Sequence, residues 1–489
     1  MRTKIEVDPS KLTRRSFFSR FGDGVHGAAL SALLAGDLLP GAASLYAAGA
    51  ESSPPNDLKP RKPHFPPKAK SVIHLFMNGG PSHVDLLDPK PMLSKFAGSA
   101  PGRDILTEIE FANEVGTVLP SPFKFARRGK CGMELSELLP HLGEHADDIT
   151  LIRSLYGESF NHEPSLYLMH SGRTIPGRAS LGAWVVYGLG SENQNLPAYV
   201  VLDDPKRLPI NGIQNWQAAW LPPVFQGTRF RSEGMPLLNL KAREDLPTPL
   251  VEAQRDLLRR LDEAHRHERS WQPDLDARIT SYELAARMQM EATDALDISQ
   301  ENEKTREMYG LNNELTASYG RRCLMARRLI ERGVRFVQIF IEGQIWDAHS
   351  DLEESLRSSC GKTDQPIAAL LADLKQRSLL GSTLVIWGGE FGRLPLSQVG
   401  RGTVVGRDHG PAGFSMWMAG GGVKAGHVHG ATDDIGYKAV EGRVSAHDFH
   451  ATMLHLLGLH FRELVYPRHG LNERLTDQYP ARVVQEILA

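Results

Sequence analysis

The sequence predicts an α/β protein: a three-layer α/β/α sandwich with a mostly parallel central sheet and an inserted helical hairpin. Three observations predict it. From residue 71 onward, segments of helical periodicity alternate with short apolar runs. Those runs are continuous rather than alternating, as expected of strands covered on both faces. One stretch, about residues 245–310, breaks the alternation with no strand signal.

Each element has its own signature. "SVIHLFM" is the first apolar run, interrupted only by His74, and it stops at Asn78-Gly79-Gly80. "ELSELLPHLGEHADD" reads as a helix leading into the strand "ITLIRSL". "LTASYGRRCLMARRLIERG" is a helix with Gly333 as its stop, feeding the strand "VRFVQIFI". "QPIAALLADLKQRS" is a helix that passes through Gly381 to the strand "STLVIWGG", and "SAHDFHATMLHLLGL" is a closing helix stopped by Gly458. In the insertion, Thr248 and Pro249 open a helix with leucines at 250, 257, 258 and 261. "DARITSYELAARMQMEATDAL" is its second arm, with Met288 and Met290 read as packing residues.

The bulk numbers exclude some classes. At 489 residues the chain exceeds one typical core, and a formal charge of −2 offers no electrostatic case for a nucleic-acid partner. Cys131, Cys323 and Cys360 form no zinc spacing and no disulfide framework, and all three read as core residues. Residues 1–50 read as a signal peptide: Arg14-Arg15 before Ser16-Phe17-Phe18, a mildly apolar stretch, then Ala48-Gly49-Ala50. The paired arginines mark the twin-arginine route, whose export machinery is an expected partner. Asp23 and Asp37 interrupt any run long enough to span a bilayer, so no membrane span is expected once the signal is removed. The expected location is periplasmic or extracellular. Residues 51–70 are proline-rich and read as a linker, which leaves residues 71–489 as the folded domain.

Polar residues collect where strands end, which is where parallel α/β sheets bind ligands. "FMNGGPSHVDLLDPKP" presents Asn78, Ser82, His83 and Asp85; "FIEGQIWDAHSD" presents Glu342, Asp347, His349 and Asp351. "TLVIWGGEFGR" presents Glu390 and Arg393, and "GRDHGP" presents Arg407, Asp408 and His409. Carboxylates and imidazoles converging from separate strands suit a divalent cation, and a cation there suits ester hydrolysis. "FNHEPSLYLMHSGR" reads as a helix opening near His162 at another strand end, an anion cradle in waiting.

These motifs resemble the alkaline phosphatase superfamily, which includes sulfatases. "IEGQIWD" is similar to its Glu-Gly-x-x-x-Asp strand end, which implies Glu342 and Asp347 at ligand positions with His349 beside them. Asn78, Glu390 and His409 fall at further metal positions, giving Asn78, Asp347, His349, Glu390 and His409 as the implied metal set. "HEPSLYLMHSGR" resembles the sulfatase signature, matching at Pro164, Ser165, Gly172 and Arg173, with His162 at the nucleophile's place. More closely, "GGPSHVDLLDPKP", "GEFGRLP", "GRDHGP" and "GATDDIG" resemble the exported bacterial family called domain of unknown function 1501, over residues 71 to about 470.

Asn78 for Asp, Phe391 for His and His162 for Ser, Thr or Cys depart from the wider pattern and leave three routes open. Ser82 attacks with His83 or Asp85 as base, His162 attacks directly, or a metal-activated water does. The expected function is an exported hydrolase of sulfate or phosphate esters, polysaccharide esters among them. It would use one or two divalent ions (Zn, Mn or Ca), with Arg173, Arg393 and Arg407 on the substrate. The alternative is a non-catalytic relative that binds sulfated or phosphorylated glycans in the same cleft.

Overall fold

A continuous apolar run can lie flat in a sheet only if both faces are covered, and the central sheet meets that condition. Its strands are β1 (Ser71–Phe76), β2 (Ile149–Tyr156), β3 (Tyr199–Leu202), β4 (Thr228–Phe230), β5 (Phe336–Phe340), β6 (Thr383–Gly388), β7 (Phe414–Ala419), β8 (His427–His429) and β9 (Val444–Ser445). Every residue of β1, β5, β6 and β7 is buried, on the odd and even faces alike. The computed structural model describes residues 56–233, 247–268, 279, 282–284, 287–288, 294–399 and 405–489.

The strand order is β8-β2-β7-β6-β1-β5-β3-β4, with β9 also on β2. β1 is central and runs parallel to both β5 and β6, while β7 is antiparallel to both of its neighbours. In register, Phe76 lies opposite Phe340 on one side and Gly388 on the other. The three strands therefore end level, and the loops leaving them emerge at one edge. β7 begins at that same edge because it runs the other way.

Six helices matter for this layout: α1 (His162–Ser171), α2 (Leu181–Leu189), α3 (Thr248–Glu268), α4 (Ala317–Glu331), α5 (Leu352–Gln376) and α6 (Ala446–Leu456). α4 and α5 are locked together by Arg327, whose Nε donates to Asp373 Oδ2 at 2.8 Å. α1 and α6 meet where a His450 ring nitrogen donates to the Met169 carbonyl at 2.8 Å. One core runs through these layers, and each large apolar side chain fully enclosed there contributes about 1.5–3 kcal/mol.

Four expectations are corrected. The segment read as a helix before β2 is a strand, Met133–Ser136, followed by a 3₁₀ turn, Leu142–Asp148. Pro140 has no N–H to give a helix, and the backbone N–H groups of His141 and Leu142 donate instead to Asp364 on α5 at 2.8 and 2.9 Å. The described part of the proline-rich linker, from Asn56, is laid against the domain. Its backbone bonds the ends of α2 and α6, with Arg61 N to Leu189 O and Lys68 N to Leu456 O both at 2.9 Å, and it buries Leu58 and Ala69. Cys131 is exposed rather than in the core, and all three cysteines are free. Finally, α3 forms where expected, yet Leu250, Leu257, Leu258 and Leu261 are exposed. Met288 is buried as expected, while Met290 and most of the second arm lie outside the described residues, as do residues 1–50, where a signal peptide is expected. Among the described residues no helix is long and apolar enough to cross a membrane.

Candidate metal centre

The level strand ends carry the site. Past β1 the chain turns through Gly79 (φ +112°) and Gly80 (φ +73°), both in the region that side chains avoid. A Cβ on Gly79 would meet the Asp347 backbone nitrogen at 2.7 Å, and one on Gly80 would meet the Phe391 ring at 2.6 Å. The glycines thus let the loops after β5 and β6 close over the end of β1. Arg393, fully buried, staples this turn: Nε donates to the Gly80 carbonyl at 3.0 Å, and Nη2 reaches the Gly79 carbonyl and Asp347.

Four side chains converge there. His162 opens α1 after β2, Asp347 and His349 come after β5, and His409 precedes β7. One ligand atom from each lies within 4.8 Å of the others. Asp347 is the centre. Its Oδ1 is 2.9 Å from His349 Nε2 and 3.2 Å from His409 Nε2, and its Oδ2 is 3.3 Å from His162 Nε2.

The outer nitrogens decide what those inner nitrogens are. His162 Nδ1–H donates to Glu390 Oε1 at 2.6 Å, and His409 Nδ1–H donates to the Phe160 carbonyl at 2.5 Å. His349 Nδ1 is 2.5 Å from Gln398 Oε1, and Gln398 Nε2 donates to Glu114 Oε2, which leaves its oxygen to accept. Each neutral ring therefore carries its proton on Nδ1 and aims an Nε2 lone pair inward. Three lone pairs facing one carboxylate repel unless a cation sits among them. His162 Nε2 is buried and makes no hydrogen bond. Outer-shell acceptors that fix the tautomer while the inner nitrogen stays open are the arrangement of metal-bound histidines, and the donor set fits a divalent ion.

The electrostatics agree. Burial works against charge on His162, but its contacts with Asp347 and Glu390 outweigh burial and raise its pKa to about 9. Burial also opposes charge on Asp347, yet its close contacts with His162, His349 and His409 and the nearby Arg393 hold it well below the usual carboxylate range. His409 goes the other way: burial, with Arg393 and His162 nearby, outweighs Asp347 and lowers it to about 4. Asp347 thus demands positive charge at this spot.

Other expected residues are placed differently. Glu390 stands behind His162 and accepts the Gly79 N–H at 2.9 Å, outside the group of four. Asn78 donates Nδ2 to the Ile341 carbonyl at 3.0 Å and to the Gly343 carbonyl. Glu342 pairs with Lys206 at 3.0 Å and Lys362 at 3.5 Å. Ser82 is fully buried and donates to Asp85 Oδ2 at 2.5 Å; Asp85 is itself gripped by fully buried Arg407 at 2.7 and 3.1 Å. That chain of contacts is a structural brace, and a serine so enclosed is not open to substrate. His83 is also buried, with Nε2 on the Gly436 carbonyl at 2.8 Å. Of the three arginines expected on the substrate, Arg393 and Arg407 are consumed inside the fold, and Arg173 pairs with Asp477 at 2.5 Å. Sequence reasoning missed Gln398 and the Phe160 carbonyl; a glutamine in "LPLSQV" and a backbone oxygen carry no local mark of their role.

Fold and site together define a class: an α/β protein with an imidazole–carboxylate cluster at the carboxyl edge of a mostly parallel sheet. The chain belongs to the family described as "Protein of unknown function (DUF1501)", which it matches over residues 69–488. Solved structures similar to it include the PsFucS1 sulfatase from Pseudoalteromonas sp., 14% identical, covering 88% of this chain and 72% of that one with a TM-score of 0.36. The lipoteichoic acid synthase LtaP from Listeria monocytogenes is 9% identical, covering 83% and 76% with a TM-score of 0.34. The alkaline phosphatase from the Antarctic bacterium TAB5 is 13% identical, covering 80% and 98% with a TM-score of 0.33. No curated protein matches the chain.

Proposed function

We propose that the chain is an exported, metal-dependent hydrolase of sulfate or phosphate esters, polysaccharide esters among them. The observation that carries this reading is the convergence of three Nδ1-protonated imidazoles on Asp347. His162, Asp347, His349 and His409 would hold the ion; three imidazoles and one carboxylate favour Zn or Mn over Ca, which prefers an all-oxygen shell. A bound divalent ion supplies Lewis acidity toward an ester oxygen and a lowered pKa for a coordinated water. Glu390, Gln398 and the Phe160 carbonyl orient the rings, and Arg393 keeps Asp347 charged and fixed. With Ser82 enclosed, water is the nucleophile this arrangement favours. Twin arginines at 14–15, before a small-residue cleavage pattern, support export.

The test is elemental analysis of the folded protein purified without chelator, paired with turnover of aryl sulfates and aryl phosphates. Bound transition metal and turnover, both lost in Asp347→Ala, are expected; a metal-free wild type after reloading would overturn the reading. The burial of Ser82 and the histidine at 162 favour a second reading, a non-catalytic binder of sulfated or phosphorylated glycans. Bound metal without turnover of any ester would support that one.

A further inference from the structure

A groove that none of the four clustered residues lines opens at the end of β2. Its main part, about 530 Å³, is bounded by Tyr156, Gly157, Ala412, Lys438 and Arg443, with one carboxylate, Glu108, on its wall. A second cavity of about 140 Å³ shares Tyr156 and Gly157 and is lined also by Glu158, His447 and Tyr479. The two cavities therefore meet across one backbone segment at the end of β2.

That segment is tied to the centre. Gly157 N–H donates to the Pro411 carbonyl at 2.8 Å, two residues from His409. Three residues past Gly157, the Phe160 carbonyl accepts from His409 Nδ1 at 2.5 Å. One side of the groove, formed by Tyr156, Gly157 and Ala412, is thus carried by the strips of chain that hold Phe160 and His409.

The chemistry of the groove is specific. The Arg443 guanidinium sits over the Tyr156 ring, 4.3 Å from its centroid, and among the described residues no carboxylate pairs with it. Stacking fixes the planar fork without using up its N–H donors. Lys438 adds a second cation, paired among the described residues with Glu108 at 3.4 Å across a half-exposed contact. In the adjoining cavity the Tyr479 ring stacks on His447 at 4.3 Å and 12°, and Arg173 stands over it at 5.3 Å. Arg443 held over the Tyr156 ring, with Lys438 in the same trough, suits a polymer that carries anionic groups, which is to say an anionic polysaccharide, while Arg173 is already spent on Asp477.

We infer that this groove is a binding subsite for an anionic glycan, with Arg443 and Lys438 holding a sulfate or carboxylate on a sugar next to the one presented to the metal centre. The inference deepens the proposed ester hydrolysis and rests on it for the role of the bound chain, but the binding itself is separately measurable. It makes a substrate's affinity depend on residues that touch neither the ion nor the scissile ester.

The experiment is calorimetric titration of the full mature protein with a heparin hexasaccharide, an oligogalacturonate hexamer and neutral maltohexaose. Wild type is expected to bind one or both anionic probes and not the neutral one. Arg443→Ala should weaken that binding roughly tenfold or more, Arg443→Lys should recover part of it, and the Lys438→Ala/Arg443→Ala double variant should abolish it. Arg443 is exposed, so its variants should melt as wild type does. Preference for heparin over galacturonate assigns sulfate, and the reverse assigns carboxylate. Asp347→Ala should keep glycan binding; if it does while wild type turns over no ester, the hydrolase reading falls and the subsite stands. No binding to either anionic probe, or equal binding by the folded double variant, would overturn the subsite.

Discussion

Gln398 offers the sharpest test of the metal centre, because it touches neither ion nor substrate. Gln398→Leu keeps the approximate volume of a nearly buried side chain and removes the acceptor that holds His349 Nδ1–H at 2.5 Å. The next acceptor, Asp408 Oδ1, lies 3.7 Å from that nitrogen, beyond hydrogen-bond reach where it stands, and a donor left without a hydrogen bond costs roughly 1–3 kcal/mol. Part of that cost falls on folding, since the metal-free protein loses the same bond. The rest falls on metal binding, because the ring is free to turn or to move its proton to Nε2, and its inner nitrogen becomes less basic. Losing an outer-shell partner of this kind weakens metal affinity by roughly 10- to 100-fold. The assay is competition for Zn between the protein and a chromophoric chelator at fixed pH, with circular dichroism and a thermal melt as checks on folding. Stoichiometry at saturation should match wild type, with only the affinity changed. Wild-type affinity in a folded Gln398→Leu protein would refute the claim that the outer hydrogen bond sets the inner lone pair.

Three more outcomes are expected of the same structure. Ser82→Ala should keep ester turnover within a few-fold of wild type and cost roughly 1.5–3 kcal/mol of stability, since it loses a buried bond to the salt-bridged Asp85 carboxylate; abolished turnover in a folded variant would restore Ser82 as nucleophile. Asp85→Asn leaves the fully buried Arg407 short of its charge partner and should destabilise the fold by roughly 3–5 kcal/mol in denaturant titration, with an unchanged midpoint counting against the brace. Acid should destabilise through enclosed histidines: burial lowers His74 to about 3 and His450 to about 4. Both stay neutral in the fold while the unfolded chain protonates near pH 6.5, so the contribution of these two residues is flat above that value and stability falls as pH drops toward 4. His450 alone accounts for about 3 kcal/mol of that loss, and a denaturation midpoint that does not move between pH 7 and pH 5 would contradict it.

How much of this was legible beforehand depends on the range of each interaction. The layered α/β class comes from local facts, namely continuous apolar runs and helical periodicities in alternation. The choice of strand ends as the functional edge was legible too, because parallel strands place their outgoing loops on one side. Asp347, His349 and His409 stand out by residue type alone. Which way a polar side chain turns was not legible. Ser82, His83 and Asp85 lie in the same loop as Asn78 and look equally available. Yet Asp85 is claimed by Arg407, 322 residues away, and that pairing draws Ser82 inward.

The proline-rich segment shows the same gap. Its composition reads as a free linker, but the exposed backbone groups at the ends of α2 and α6 give it partners that no window of sequence contains. His162 joins the cluster around Asp347 because β7 runs antiparallel between β2 and β6, so that His409, upstream of β7, meets the helix that starts after β2. By itself, then, the sequence determined the fold class and the supply of ligand-type residues at one edge of the sheet, since both are carried by short-range pattern. Tertiary structure alone decided which of those residues face one another and which are neutralised in the interior, because a buried charge is settled by whichever partner the fold brings to it, however distant in the chain.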